Sequence, residues 1–174
     1  LRIVQANISQ DKKWKAQYQK SNLQRHILLS KNKLLSPPTH VIWPEATVPP
    51  HRIYNGYVRS AVKNIISPGG ALITGAVRRG VVLDKDFWNS VYFINDLGIN
   101  IAFYDKSDLV PFGEYVPFRG ILPIDKLVPG HGDFLSGVSR KTIKIKGLPP
   151  VSPLICYEGI FPGRTYRSDA RPDW

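Results

Sequence analysis

The order of apolar runs along the chain constrains its fold more than any other feature. Residues 2–8, RIVQANI, alternate well enough to form an opening strand. Over residues 21–35 the apolar Leu23, Ile27 and Leu34 recur near helical spacing, with Ser21 as N-cap and Ser36-Pro37-Pro38 as the stop. HVIWPEA follows as a short apolar strand ending at Pro44. Residues 54–66 suit a second helix, with Val58, Val62, Ile65 and Ile66 on one side and Ser67-Pro68-Gly69-Gly70 closing it. Residues 71–77, ALITGAV, read as a buried strand, and residues 78–87 as a polar hairpin connection. Residues 88–94 and 99–104 then read as strands joined at Asn95-Asp96-Leu97-Gly98. Residues 141–145 alternate as an edge strand, and Val151, Leu154 and Ile155 form a short buried strand that runs into Cys156. Strands alternating with helices, then strands in succession, predict an α/β layered domain. A length of 174 residues favours one core and one domain.

Charge narrows the function less than it first promises. A formal net charge of +11 from 24 Lys+Arg favours attraction to anionic surfaces. The basic residues are scattered, at Lys12, Lys13, Lys15, Arg78, Arg79, Arg140, Lys141, Lys144 and Lys146, and read as a solvated surface. No zinc-finger spacing, basic zipper or RNP-like aromatic motif accompanies them, so nucleic acid is not the predicted partner. No apolar stretch approaches the roughly 18 residues of a membrane-spanning helix. The chain opens LRIVQANISQ without an initiator Met or a secretory leader pattern, and with no Met at all it reads as a piece of a longer protein.

The three glutamates are more telling. Glu45, Glu114 and Glu158 are the only ones, and each sits among Pro, Gly and aromatic residues: WPEATVPP, PFGEYVPF and ICYEGIFP. Surface solubilisation explains that placement poorly. Residues 109–123, LVPFGEYVPFRGILP, hold too many Pro and Gly for a helix or central strand, yet their aromatic and branched side chains argue for an ordered loop beside a site. A second turn cluster, GHGDFLSG, occupies residues 130–137.

Cys156 is the only cysteine. It is either a small buried hydrophobe or a nucleophile at a strand end, where reacting groups of open α/β sheets gather. A thiol with a reference pKa of about 8.5 is only slightly ionised at neutral pH and needs a base or a positive neighbour to attack. Glu45 and Lys106 also follow strands. A carboxylate there can take the thiol proton and return it to a leaving group. An ammonium can stabilise a developing oxyanion.

In order and spacing, Glu45 in VIWPEA, Lys106 in FYDKSDL and Cys156 in PLICYE resemble the Glu-Lys-Cys triad of the nitrilase (carbon-nitrogen hydrolase) superfamily. Within it the chain resembles the bacterial apolipoprotein N-acyltransferase family. The likeness rests on VQANISQDKKW, WPE, DLVPFGEYVPFR, GDF with a following Gly, and ICYEGIFP, and it covers essentially the whole chain. Ser107-Asp108 and Ala6 depart from the family's usual residues without touching the triad.

The resemblance implies a nitrilase-type αββα sandwich over residues 1–174, incomplete at its C-terminal end and without the family's membrane-spanning segments. It implies that Cys156 is the nucleophile forming a thioester with a phospholipid acyl group, Glu45 the general base and Lys106 the oxyanion stabiliser. Glu114 would orient Lys106 and substrate, Tyr157 and Glu158 would shape the pocket, Trp14 would lie on the acyl-binding side, and Asn89 near the site. The acceptor would be the amino group of the diacylglyceryl cysteine that begins an apolipoprotein. No metal or organic cofactor is implied. The domain would face the periplasm, anchored in the bacterial inner membrane by the segments it lacks here. Two other readings compete: a soluble amidase using the same triad on a small amide, and a basic binding module in which Cys156 is only a core residue. Phe112, Tyr115, Val116 and Phe118 favour an apolar groove and so the acyltransferase.

Overall fold

Seven consecutive buried residues, Ala71 to Val77, form most of strand β3 (Ala71–Arg79), the centre of a five-stranded sheet. The order is β1 (Arg2–Ile3), β2 (His40–Ile42), β3, β4 (Phe87–Asn95) and β5 (Asn100–Asp105). The first three run parallel, while β3, β4 and β5 are successively antiparallel. The computed structural model describes residues 1–31, 38–53, 56–80, 86–118, 132–161, 163–166 and 169–174, with only the backbone at residues 50 and 51.

Side chains of β3 alternate between two cores, as a pleated strand requires. Leu72 and Ala76, with Tyr92 and Ile94 of β4, point toward the helices. There they meet Leu23 of α2 (Ala16–Ser30), Val58 and Val62 of α4 (Gly56–Val62), and Ile65 and Ile66 beyond it. Two shorter helices among the described residues are α1 (Gln10–Lys13) and α3 (Pro50–Ile53). On the opposite face Ala71, Ile73, Phe93 and Tyr104 pack against Ile143, Ile145, Val151 and Ile155.

The predicted strands of the central sheet form, with ends shifted by one or two residues. Elsewhere the structure corrects the reading. The opening strand is two residues long rather than seven, continued by one bond from the Val4 amide to the Ile42 carbonyl. Helix α2 starts five residues before Ser21, whose hydroxyl donates to the Tyr18 carbonyl from inside the helix. Alanine and glutamine are good helix formers and needed no side-chain cap at Lys15. Of the second predicted helix, Gly56–Val62 is helical and Ile65 and Ile66 follow in turns. The start of that helix at residues 54–55 lies outside the described residues, as do Leu34, the Ser36-Pro37 stop, residues 81–85 of the polar connection, residues 119–123 of the loop, residues 130–131 of the turn cluster and Pro162.

The largest correction concerns residues 141–155. Neither the edge strand at 141–145 nor the strand before Cys156 forms; one antiparallel bridge, Ile143 to Val151, joins the two segments. Their alternating side chains do face a core, but across the sheet rather than along its edge. Among the described residues the αββα arrangement is thus represented by one sheet, helices on one face and this irregular layer on the other.

Candidate functional site

Glu45 is held by a detour of the chain around Gly75. The Trp43 amide still bonds to the Ile73 carbonyl at 2.8 Å, continuing the β2–β3 ladder. The chain then swings out and returns where the Thr47 and Val48 amides both donate to the Gly75 carbonyl, at 2.9 and 3.1 Å. Ala46 takes φ of 50° in this loop. A Cβ on residue 75 would lie 2.4 Å from the Ala46 amide nitrogen and 2.6 Å from the Glu45 Cα, so only glycine lets the detour pass this close. Trp43, 2% exposed, anchors the approach by donating from Nε1 to the Ser30 hydroxyl of α2 at 2.8 Å.

From β4, Asn89 reaches across to two carboxylates. Its Nδ2 donates to Glu45 Oε1 at 2.7 Å and to Glu114 Oε1 at 3.1 Å. Two acceptors on one side fix the amide orientation, because the reversed amide would turn its oxygen toward both carboxylates. Asn89 Oδ1 is left buried without a partner among the described residues. Glu114 Oε2 completes the line, lying 2.8 Å from Lys106 Nζ and accepting the Val110 amide at 2.9 Å. Lys106, one residue past β5, is 1% exposed. A buried ammonium is tolerated only with a countercharge, and Glu114 supplies it. The predicted ordered loop is therefore present over its described part: it delivers Glu114, and the Phe134 amide of the next turn cluster bonds to the Glu114 carbonyl at 2.8 Å.

Cys156 is exposed, which removes the reading of it as a core hydrophobe. It opens a 3₁₀ turn, Cys156–Ile160, at φ of 48°. The left-handed region costs a non-glycine residue about 1–2 kcal/mol, and such departures concentrate at functional positions. The turn is fixed by Glu158, fully buried. Its Oε2 accepts the Ile155 amide at 2.8 Å, just before the cysteine. Its Oε1 accepts the Tyr104 hydroxyl at 2.6 Å and the Ser107 and Asp108 amides at 2.7 and 3.2 Å. Burial, then the bond to Glu158, pushes the Tyr104 phenol up to about 12.

These elements meet on the sheet face away from the helices. Glu45, Asn89 and Cys156 line one cavity of about 340 Å³ with Trp43, Phe93, Leu154 and Trp174. Lys106 and Glu114 stand behind Asn89 rather than in the wall. Glu158 lies beneath the turn, and Tyr157 packs edge-on against Phe161 at 4.9 Å. Trp14 is 44% exposed at the end of α1 and is not part of the cavity wall, so the structure does not bring it to the others. A larger groove of about 590 Å³ runs beside β5 along Ile101, Phe103 and Ile143, and contains neither the glutamates nor the cysteine. Chemically, the cavity combines a carboxylate, an amide with a spare acceptor, and an accessible thiol, backed by a buried cation.

Sequence reasoning missed Gly75, Tyr104 and Arg140. Arg140 was counted with the scattered surface cations, yet it is 8% exposed and its Nη1 lies 3.0 Å from Glu158. Nothing in its neighbours, GVSRKTI, separates it from a solvated arginine. Gly75 did carry a signal, as a glycine inside a strand marks a close backbone approach.

No protein-family model matches the chain. Curated relatives do. An apolipoprotein N-acyltransferase of Bradyrhizobium diazoefficiens is 32% identical over 188 aligned residues, covering 100% of this chain and 35% of the relative. One of Agrobacterium fabrum is 37% identical over 175, covering 94% and 32%. The chain is a homologue of the apolipoprotein N-acyltransferases. It spans about a third of their length. Among solved structures, a CN-hydrolase superfamily protein of Xanthomonas campestris superposes with a TM-score of 0.55 at 18% identity, covering 82% of this chain and 49% of that one. An amidase from Nesterenkonia sp. gives 0.55 at 17%, covering 87% and 56%. The sheet with its helices is that of the CN-hydrolase (nitrilase) fold.

Proposed function

We propose that this chain provides the catalytic site of an N-acyltransferase that moves an acyl chain from a phospholipid, through a thioester on Cys156, to the α-amino group of an S-diacylglyceryl cysteine. The observation that carries the reading is the hydrogen-bonded line Glu45–Asn89–Glu114–Lys106, which ends at a cavity shared by Glu45 and the exposed Cys156.

In the first half-reaction Glu45 takes the thiol proton as Cys156 Sγ attacks the ester carbonyl. Lys106 favours the negative charge that develops, and the C–O bond to the lysophospholipid breaks as Glu45 returns the proton to the leaving alkoxide. In the second, the amine attacks the thioester, Glu45 removes a proton from nitrogen, and the C–S bond breaks to restore the thiol. Asn89 and Glu114 keep Glu45 and Lys106 in register, and Tyr157 and Glu158 shape the turn. Homology to the acyltransferases supports the reading. So does the basic chain, which suits a domain held against an anionic bilayer. No helix among the described residues is long and apolar enough to cross a membrane. Anchoring in a bacterial inner membrane, with the site on the periplasmic side, would therefore depend on segments other than these.

The test is incubation of the whole membrane-anchored protein with phospholipid labelled in its acyl chains. Label on Cys156 that hydroxylamine removes and an S-diacylglyceryl-cysteine peptide discharges supports the proposal, and Cys156→Ser abolishes it. Absence of label together with hydrolysis of a small amide would replace the acyltransferase by an amidase.

A further inference from the structure

We propose that Arg140 is a positioning residue for the reaction, holding the Cys156 turn against the strand end that carries Lys106. The inference rests on the catalytic reading of Cys156 and adds a residue to it. Glu158 is the clasp between the two places. One of its oxygens takes the amide immediately before Cys156, and the other takes the two amides immediately after Lys106. The Ser107 hydroxyl adds a third bond to that second oxygen at 3.0 Å. All of these donors are neutral, as is the Tyr104 hydroxyl at 2.6 Å.

The carboxylate is fully buried, and a buried charge needs a counterion as well as hydrogen bonds. Among the described residues Arg140 is the cation within ion-pair reach, with Nη1 at 3.0 Å. The same nitrogen donates to the Tyr104 oxygen at 3.3 Å, and Nη2 reaches Asp108 Oδ2 at 2.6 Å. One planar fork thus engages the turn, β5 and the segment after Lys106 together, which a point charge cannot do. The remaining charged groups facing this cluster are spoken for: Lys106 is paired with Glu114, and the exposed Arg164 stands 4.0 Å from Asp108. Without Arg140 the clasp loses its countercharge, the turn loosens, and Cys156 loses its fixed place in the cavity it shares with Glu45.

The experiment is alkylation of Cys156 by iodoacetamide from pH 5 to 9 in the whole protein, comparing wild type, Arg140→Met and Arg140→Lys, with folding followed by near-ultraviolet circular dichroism. Arg140→Met is expected to slow alkylation about tenfold at pH 7. Arg140→Lys restores the charge but not the fork and recovers only part of the rate. A folded Arg140→Met with the wild-type rate and pH profile, merely less stable, overturns the inference. If Arg140→Met does not fold, Arg140→Lys decides: slower alkylation in a folded protein supports the positioning role, and wild-type rate and profile refute it. An inert thiol in folded wild type would instead strike down the catalytic reading itself.

Discussion

Gly75→Ala tests the geometry of the site without replacing any group assigned to the chemistry. The new Cβ would stand 2.4 Å from the Ala46 nitrogen and 2.6 Å from the Glu45 Cα, where ordinary contact begins at 3.4 Å. The loop carrying Glu45 must therefore retreat by about 1 Å, since β3 is locked between β2 and β4. Added to the present 2.7 Å between Asn89 Nδ2 and Glu45 Oε1, that retreat carries the pair beyond hydrogen-bonding range. Displacing a reacting group by that much costs on the order of 10²-fold in rate, or about 2.7 kcal/mol of barrier. Overpacking costs a further ~1–3 kcal/mol of stability, a fall in Tm of roughly 2–12 °C for a domain of this size. The assay is acyl transfer by the whole protein at a temperature below both melting transitions. Gly56→Ala, whose added Cβ meets nothing within 4 Å, serves as control and should leave the rate alone. A folded Gly75→Ala protein that retains the wild-type rate within about threefold would refute the reasoning.

Other perturbations separate the remaining parts. Glu114→Gln leaves Lys106 buried without its countercharge; acyl transfer should be lost and stability should fall by ~3–5 kcal/mol in urea unfolding. Tyr104→Phe removes one neutral donor from Glu158 and should cost about 1–3 kcal/mol, with activity largely kept, as measured by denaturant melts and turnover. Because the Tyr104 phenol is raised to about 12, absorbance at 295 nm should show one tyrosine lagging the others. The unfolded chain releases that proton near pH ~10, so the stability linked to it is present below that pH and is lost as pH rises through about 12. Burial holds His26 and His40 below the ordinary histidine range, so the unfolded chain takes up their protons first on acidification. Their contribution is complete above pH ~6.5 and declines below it, and His26→Gln should flatten the acid limb of a Tm against pH curve.

The fold was legible where one physical cause dominated. The runs ALITGAV in β3 and VYFI in β4 are strands because they are covered on both faces of a sheet, and their apolar character records that. The segment from Lys141 to Ile155 was misread because period-two alternation reports which side chains are buried, not where backbone hydrogen bonds go. Ile143, Ile145 and Val151 are indeed buried together. Of the candidate site, the three glutamates could be picked out because a carboxylate among Pro, Gly and aromatic residues has no good surface explanation, and each proves to accept specific donors. Trp14 came from resemblance alone and stays apart from the cavity. Arg140 was invisible, since its burial is imposed by Glu158 and Asp108, which approach it from 18 positions after it and 32 before.

The left-handed backbone at Cys156 makes this position a point of conflict for the lineage. Glycine or asparagine would sit there with less torsional penalty, so random substitution offers a small gain in thermal resistance for the loss of the sulfur. Copies released from any need for the thiol should drift that way first, and a Cys156→Gly protein should outlast its parent on heating.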